Sequence, residues 1–130
     1  MDFTQFTSAT WIGAGLAVLL ALGFLYIGAS FVIAPESASR GFGFTSAFTA
    51  EVTPWLHVKG PRDIVSGLLV AVMLLVAGPA ACATVLLVEA LIPLGDAAMI
   101  FRHHGRAAAA FGIHVATAAA MIIAAILLLV

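Results

Sequence analysis

An all-α fold, an integral membrane bundle of four transmembrane helices with short connections, is predicted by three observations. Of the 130 residues, 64% are hydrophobic and only 8% are charged, against roughly a quarter charged in ordinary soluble domains. Apolar runs long enough to cross a hydrocarbon core recur along the chain. The stretches between them are brief and marked by glycine, proline or arginine. A water-soluble fold has too little polar surface to cover such a composition.

The first helix is predicted over about 11–33, with Thr10 as its N-cap and Pro35 just beyond its end. Residues 34–52 form the longest non-spanning stretch, and the mix of Gly and Phe in Gly41-Phe42-Gly43-Phe44 suits a loop or a half-buried segment in the membrane interface. The second helix, about 62–77, is the shortest. It either starts beneath the surface or continues a bent segment entered at Thr53-Pro54, where proline fits a first helical turn. Gly60-Pro61 is expected to break the chain before Arg62, leaving Asp63 at a positive helix N-terminus. The third and fourth helices are predicted over about 80–101 and 107–130. Gly78-Pro79 then closes a tight antiparallel hairpin of helices two and three, and residues 102–106 do the same for three and four. The chain reads as one domain, 1–130.

Small residues recur every fourth position, Gly13, Ala17 and Ala21 in helix one and Gly112, Ala116, Ala120 and Ala124 in helix four. Such stripes let backbones approach in lipid. They are expected to pack inside one bundle, with a dimer contact as the alternative. His114 lies about 200° around the helix from Gly112 and so points away from that stripe. Arg40, Lys59, Arg62, Arg102 and Arg106 all fall in or beside the first and third connections. Positive residues stay cytoplasmic, so a cell-membrane, multi-pass protein with both termini non-cytoplasmic is expected. Asp2 and the length of the first apolar run argue against a cleaved signal peptide, so helix one is expected to remain.

Several function classes are set aside. A net charge of -1 provides no basic field for nucleic acid. The single cysteine, Cys82, reads as a buried thiol without disulfide or metal partner. His103 and His104 are adjacent and face different directions, so no metal site is expected. A bis-histidine haem from His57 and His114 is disfavoured by their unequal placement, and no cofactor is expected.

The informative residues are those lipid should exclude. Glu89 and Asp96 are seven apart and share a face, about 10 Å from each other along the axis, with Pro93 between them to bend the backbone. Helix two opens on His57, Lys59, Arg62 and Asp63, followed by Ser66 and Gly67. Counting outward from the Gly78-Pro79 turn places Asp63 and Asp96 at similar depth, with Arg62 there too and His114 close. Two carboxyls beside a cation provide one acid and one base. Glu89 lies deeper, where burial favours a neutral acid that either donates a proton or merely bonds Tyr26, Ser30 or Thr117. Asp63, Asp96 and Glu89 are therefore the catalytic candidates. Arg62, His114, Lys59, His57 and Ser66 are the substrate-binding ones, with the bland alternative that Lys59 and Arg62 anchor the interface and Asp63 caps the helix or pairs with one of them.

The run Lys59-Gly60-Pro61-Arg62-Asp63 with Gly67, then Pro93-Leu94-Gly95-Asp96, then His114 in an alanine-rich last helix, resembles a family of small four-helix membrane proteins known mainly as a domain of unknown function. The resemblance spans most of the chain and implies the four-helix fold, with these same positions as the shared site. A more distant likeness, of architecture alone, is to small quinone-linked or redox four-helix membrane proteins of the DoxX type.

The expected function is binding or transforming a lipophilic small molecule or lipid by acid–base chemistry, of the isomerase, cyclase or hydratase type. The alternatives are a small proton-coupled transporter working through Glu89, and a structural or assembly subunit. The expected partners are the membrane and the lipophile, with no nucleic acid and with a second copy of the chain as a further candidate.

Overall fold

The computed structural model describes residues 6–45 and 48–130. Four helical spans cross it, Ser8–Ile33, Ala50–Ala77, Pro79–Arg102 and Ala107–Leu129, each long and apolar enough to traverse a membrane. No strand occurs among the described residues. Large apolar side chains such as Leu19, Leu22, Val65, Leu91, Ile123 and Ile126 are exposed on the outward faces. Water penalises such a surface and lipid does not. Exposed Trp11 and Trp55 stand near the starts of the antiparallel first and second spans, the interfacial levels tryptophan favours. The chain is a multi-pass integral membrane protein.

The first span is helix α1, Ser8–Ile33, and its cap is Thr7, whose Oγ1 accepts from the Thr10 amide at 3.0 Å. Thr10, expected as the cap, is instead buried within the first turn with its hydroxyl 2.8 Å from that of Thr7. Beyond Ala34 the chain does not fall into a loop. Pro35 opens a short helix α2, Pro35–Phe42, because its fixed φ and missing amide suit a first helical position. Gly43 then takes φ +124°, a conformation glycine tolerates, and its carbonyl accepts from the Arg106 amide at 2.8 Å. This ties the end of α2 to the connection between the third and fourth spans.

Helix α3, Thr53–Val72, passes through Gly60 and Pro61 without the expected break and runs on into a π-type turn, Met73–Ala77. Proline costs one amide and one clash. In lipid the helix nevertheless remains the means of satisfying the neighbouring peptide groups, so continuity wins. Asp63 is therefore a mid-helix residue and not a cap. Gly78, φ +91°, turns the chain into α4, Pro79–Glu89, and α5, Leu91–Arg102, which are separated by an interruption at Ala90. That interruption is the bend expected from Pro93. Having no amide, Pro93 leaves the Glu89 carbonyl without its helical donor, and the neighbouring Leu94 amide reaches Ala90 only at 3.4 Å.

The first span packs most extensively on the second, then on the fourth, which in turn packs on the third. Second and third spans meet mainly near the Gly78 turn and separate away from it, so the expected hairpin is tight only at its closed end. A closed apolar core occupies that half, built from Ala17, Val70, Cys82, Leu86, Met121 and Ala124 among others. Towards the Arg106 end only a small second cluster, Ala97, Ile100 and Ala110, fills the interior.

The expected helix-four stripe holds in its second half, where Ala124 is buried in the core and Ala120 half-buried, and fails in its first. A π-type turn, Ala110–Val115, precedes α7, Ala116–Leu129, and its wider repeat shifts the phase of the span. Ala110, His114, Ala118, Met121 and Ala125 face inward, while Gly112 meets nothing within 4 Å and Ala116 is exposed. Gly112→Ala is accordingly expected to leave the midpoint of thermal unfolding in detergent unchanged, or to raise stability by up to about 1 kcal/mol through helix propensity. A fall of several degrees would mean that this face is covered by a second copy.

Candidate functional site

The spans diverge at the Arg106 end, and the space between them is a cavity of about 410 Å³. Its charged groups and its histidine come from three spans. On α3, Lys59 and Asp63 are one turn apart, so their side chains lie on one face. The Lys59 Nζ donates to both carboxylate oxygens of Asp63, at 2.9 and 2.8 Å. The ammonium also lies 5.2 Å from the centroid of the Phe31 ring and 5.4 Å from that of Phe42, within cation–π range. The pair is thus neutralised internally and screened by two aromatic rings.

Across the cavity, Asp96 of α5 faces His114 of the fourth span. The His114 ring is buried, with Nε2 2.9 Å from the backbone oxygen of Phe42 and Nδ1 3.7 Å from Asp96 Oδ2. A carbonyl only accepts, so Nε2 carries a proton by inference from its partner. Nδ1 is then the atom free to exchange a proton on the Asp96 side. The distance from Nδ1 to Asp96 is too long for a hydrogen bond. The Asp96 carboxyl makes none with any described side chain, is only partly buried, and lies within the electrostatic reach of Lys59, His114 and Asp63. It is left open to the cavity.

Apolar and weakly polar walls complete the space. Helix α1 contributes Phe24, Ile27, Ser30 and Phe31, helix α2 contributes Ala38 and Phe42, and Ile113 and Thr117 stand on the fourth span. The contact of α1 with the fourth span is concentrated in its Ala116–Leu129 part. Nearer the Arg106 end the two helices part, and Tyr26, Ile27 and Ser30 face Ile113 and Thr117 across the cavity. Tyr26 and Ile113 are exposed on the outer side of this gap.

The structure brings together four of the sequence-derived candidates, Lys59, Asp63, Asp96 and His114, and leaves four out. Arg62 and His57 are exposed and line no part of the cavity. With α3 unbroken, Arg62 sits about 100° from Asp63 and turns outward. Lys59, at the favourable four-residue spacing, takes the partner that Arg62 was expected to share. Ser66 and Glu89 lie deeper than the cavity, with Ser66 in hydrogen-bonding reach of the Glu89 carboxyl. Glu89 is buried, and its Oε2 has no hydrogen-bond partner among the described residues. Tyr26, Ser30 and Thr117 do not bond it. The Ser30 hydroxyl donates to the Tyr26 carbonyl at 2.8 Å and that of Thr117 to the Ile113 carbonyl at 2.7 Å.

Phe42, which the sequence places only in an interfacial stretch, lines the cavity. It packs against His114 with ring centroids 4.7 Å apart, lies near Lys59 and supplies the carbonyl that orients His114. The available signal was the glycine on each side of it, since Gly43 also admits the third and fourth spans. A Cβ there would lie 2.9 Å from that of Ala109 and 3.1 Å from Ile100 Cδ1. Arg106 adds a second clamp, its guanidinium donating to the Arg40 carbonyl. Among the described residues no group of three His, Cys, Asp or Glu is placed to hold a metal ion.

No curated protein and no solved structure matches the chain. Residues 21–128, which hold every group lining the cavity, match the family described as a domain of unknown function, DUF4267. With the match covering most of its length and all four of its spans at least in part, the chain belongs to the DUF4267 family.

Proposed function

We propose that the cavity admits a lipophilic small molecule sideways from the bilayer and that Asp96 and His114 carry out acid–base chemistry on its polar head. The observation that carries this reading is the Asp96 carboxyl, open to an otherwise largely apolar cavity and facing an imidazole whose outer nitrogen is already bonded. Such a pair takes a proton from one position of a substrate and returns it at another. Isomerisation and cyclisation need no more than this, and hydration needs in addition a water molecule as the second reactant. Asp63, held by Lys59, acts as a fixed charge beside the reacting centre and not as the second proton carrier. The arginines and lysine of the first and third connections support a cytoplasmic placement of the cavity, with both termini on the other side.

The test is the lipid extract of purified protein. Asp96→Asn keeps the shape of the side chain and breaks no hydrogen bond to a described side chain, so its thermal midpoint should stay within about 2 °C of the parent. Mass spectrometry should show a copurified lipophile depleted at least ten-fold in the variant. Identical extracts would overturn this reading, and a variant that unfolds far earlier than the parent would make the carboxyl a lock between helices.

One observation favours a second reading. The buried Glu89 oxygen without a partner is the feature a proton-coupled transporter would use. That reading requires substrate-driven proton flux in proteoliposomes and its loss in Glu89→Gln. Against it stands the closed apolar core between Glu89 and the Gly78 end.

A further inference from the structure

The hydrogen-bond inventory of the cavity restricts what its ligand can be. The Lys59 ammonium has two of its three protons on Asp63 and two aromatic rings over it. His114 has its Nε2 proton on the Phe42 carbonyl. The hydroxyl protons of Ser30 and Thr117 are spent on carbonyls of their own helices, at 2.8 and 2.7 Å. The Tyr26 and Ser37 hydroxyls line the cavity as donors and Lys59 keeps one proton, but Asp96 and the groups named above present chiefly lone pairs: both oxygens of Asp96, Nδ1 of His114, and the oxygens of Ser30 and Thr117. Protonating Asp96 changes one oxygen into a donor and leaves the other an acceptor.

The acceptors gathered at Asp96, in a low-dielectric wall, select their complement, because each buried acceptor left without a donor costs the ligand affinity. Charge points the same way. Asp63 and Asp96 place two carboxyls at the cavity against one ammonium already paired, so a carboxylate or phosphate head would meet repulsion without a free cation. The geometry points to a ligand whose apolar body carries an O–H or N–H donor head, an alcohol, phenol or amine, that hydrogen-bonds the Asp96 carboxyl. Anionic heads and acceptor-only heads such as ethers are disfavoured at Asp96. The position of Ser30 and Thr117 on facing helices at the mouth gives such a head two acceptors to pass on its way to Asp96.

This assignment rests on the ligand-binding reading above, and the experiment separates the two. Four probes with one twelve-carbon chain differ only in the head: 1-dodecanol, dodecylamine, dodecyl methyl ether and dodecanoate. Each is titrated into the full chain in phosphatidylcholine nanodiscs, with bound probe counted by native mass spectrometry and the His114 ring nitrogens followed by ¹⁵N NMR. The expected result is binding of the alcohol or the amine at least ten-fold tighter than of the ether and the dodecanoate, with a shift at His114 Nδ1. The alcohol and amine arms decide whether the head is neutral or cationic. Asp96→Leu should abolish the preference. Should that variant not fold, Ser30→Ala with Thr117→Val should reduce it several-fold. Equal or tighter binding of dodecanoate or the ether, with His114 responding, overturns the donor-head assignment and leaves a ligand site standing. Failure of every probe to bind above empty nanodiscs or to move the His114 signals overturns both.

Discussion

Asp63→Ala is expected to lower the stability of the bundle by about 3 kcal/mol, a shift of roughly 10 °C in the thermal midpoint in detergent. The reason lies in what is left behind. Lys59 and Asp63 form a bidentate pair on one turn, with the carboxylate largely buried and the ammonium only partly exposed beneath Phe31 and Phe42. Removing the carboxylate strands the cation at membrane depth, and the two rings replace only about 1 kcal/mol of the loss. The double variant Lys59→Met/Asp63→Leu removes both charges and should recover most of the stability, since an apolar pair of similar volume has no ions to desolvate. Arg62→Ala serves as the control and should change the midpoint by no more than about 0.5 kcal/mol, because Arg62 faces out of the bundle. Asp63→Ala melting with the parent, or a double variant no better than the single one, would show that the pair contributes nothing to the stability of the bundle. Together with the mild effect expected of Asp96→Asn, this contrast separates the two carboxyls into one that secures structure and one that serves the cavity.

Gly28→Ala is the second substitution with a large expected effect, a loss of about 2–3 kcal/mol from overpacking. A Cβ on Gly28 would lie 2.5 Å from the Gly60 carbonyl oxygen and 2.8 Å from the Ile64 amide nitrogen. Both are backbone atoms, so no side-chain rotation relieves the contact and the first two spans must move apart. Gly60 and Gly67 meet the first span as closely, with hypothetical Cβ positions 2.7 Å from the carbonyl oxygens of Gly28 and Ala21. The strain reaches the site, because the span displaced by Gly28→Ala also carries Lys59 and Asp63. Copurified lipophile should therefore fall along with the midpoint. Gly15→Ala and Gly23→Ala, where nothing lies within 4 Å, are the matched controls and should be neutral or slightly stabilising. Equal behaviour of Gly28→Ala and Gly23→Ala, read by thermal unfolding, would remove the close approach from the account of stability.

The sequence by itself determined the quantities that add along a helix axis. Apolar run length set four spans, Gly78 set the turn between the second and third, and Pro93 set the bend beside Glu89. The fixed rise per residue let Asp63, Asp96 and His114 be placed at one level by counting, and the cavity unites all three. What counting does not supply is azimuth. Whether Lys59 or Arg62 meets Asp63 depends on whether α3 continues through Gly60-Pro61, and a single residue moves a side chain by about 100°. The inward face of the fourth span depends in the same way on the π-type turn at Ala110–Val115, which local spacing does not reveal. The Phe42 carbonyl reaches His114 across 72 positions of sequence only because Gly43 lets the end of α2 settle on the third and fourth spans. Depth is a property of one helix, and it was legible. Which faces meet is a property of pairs of helices, set by where backbones can approach, and only the tertiary structure decided it.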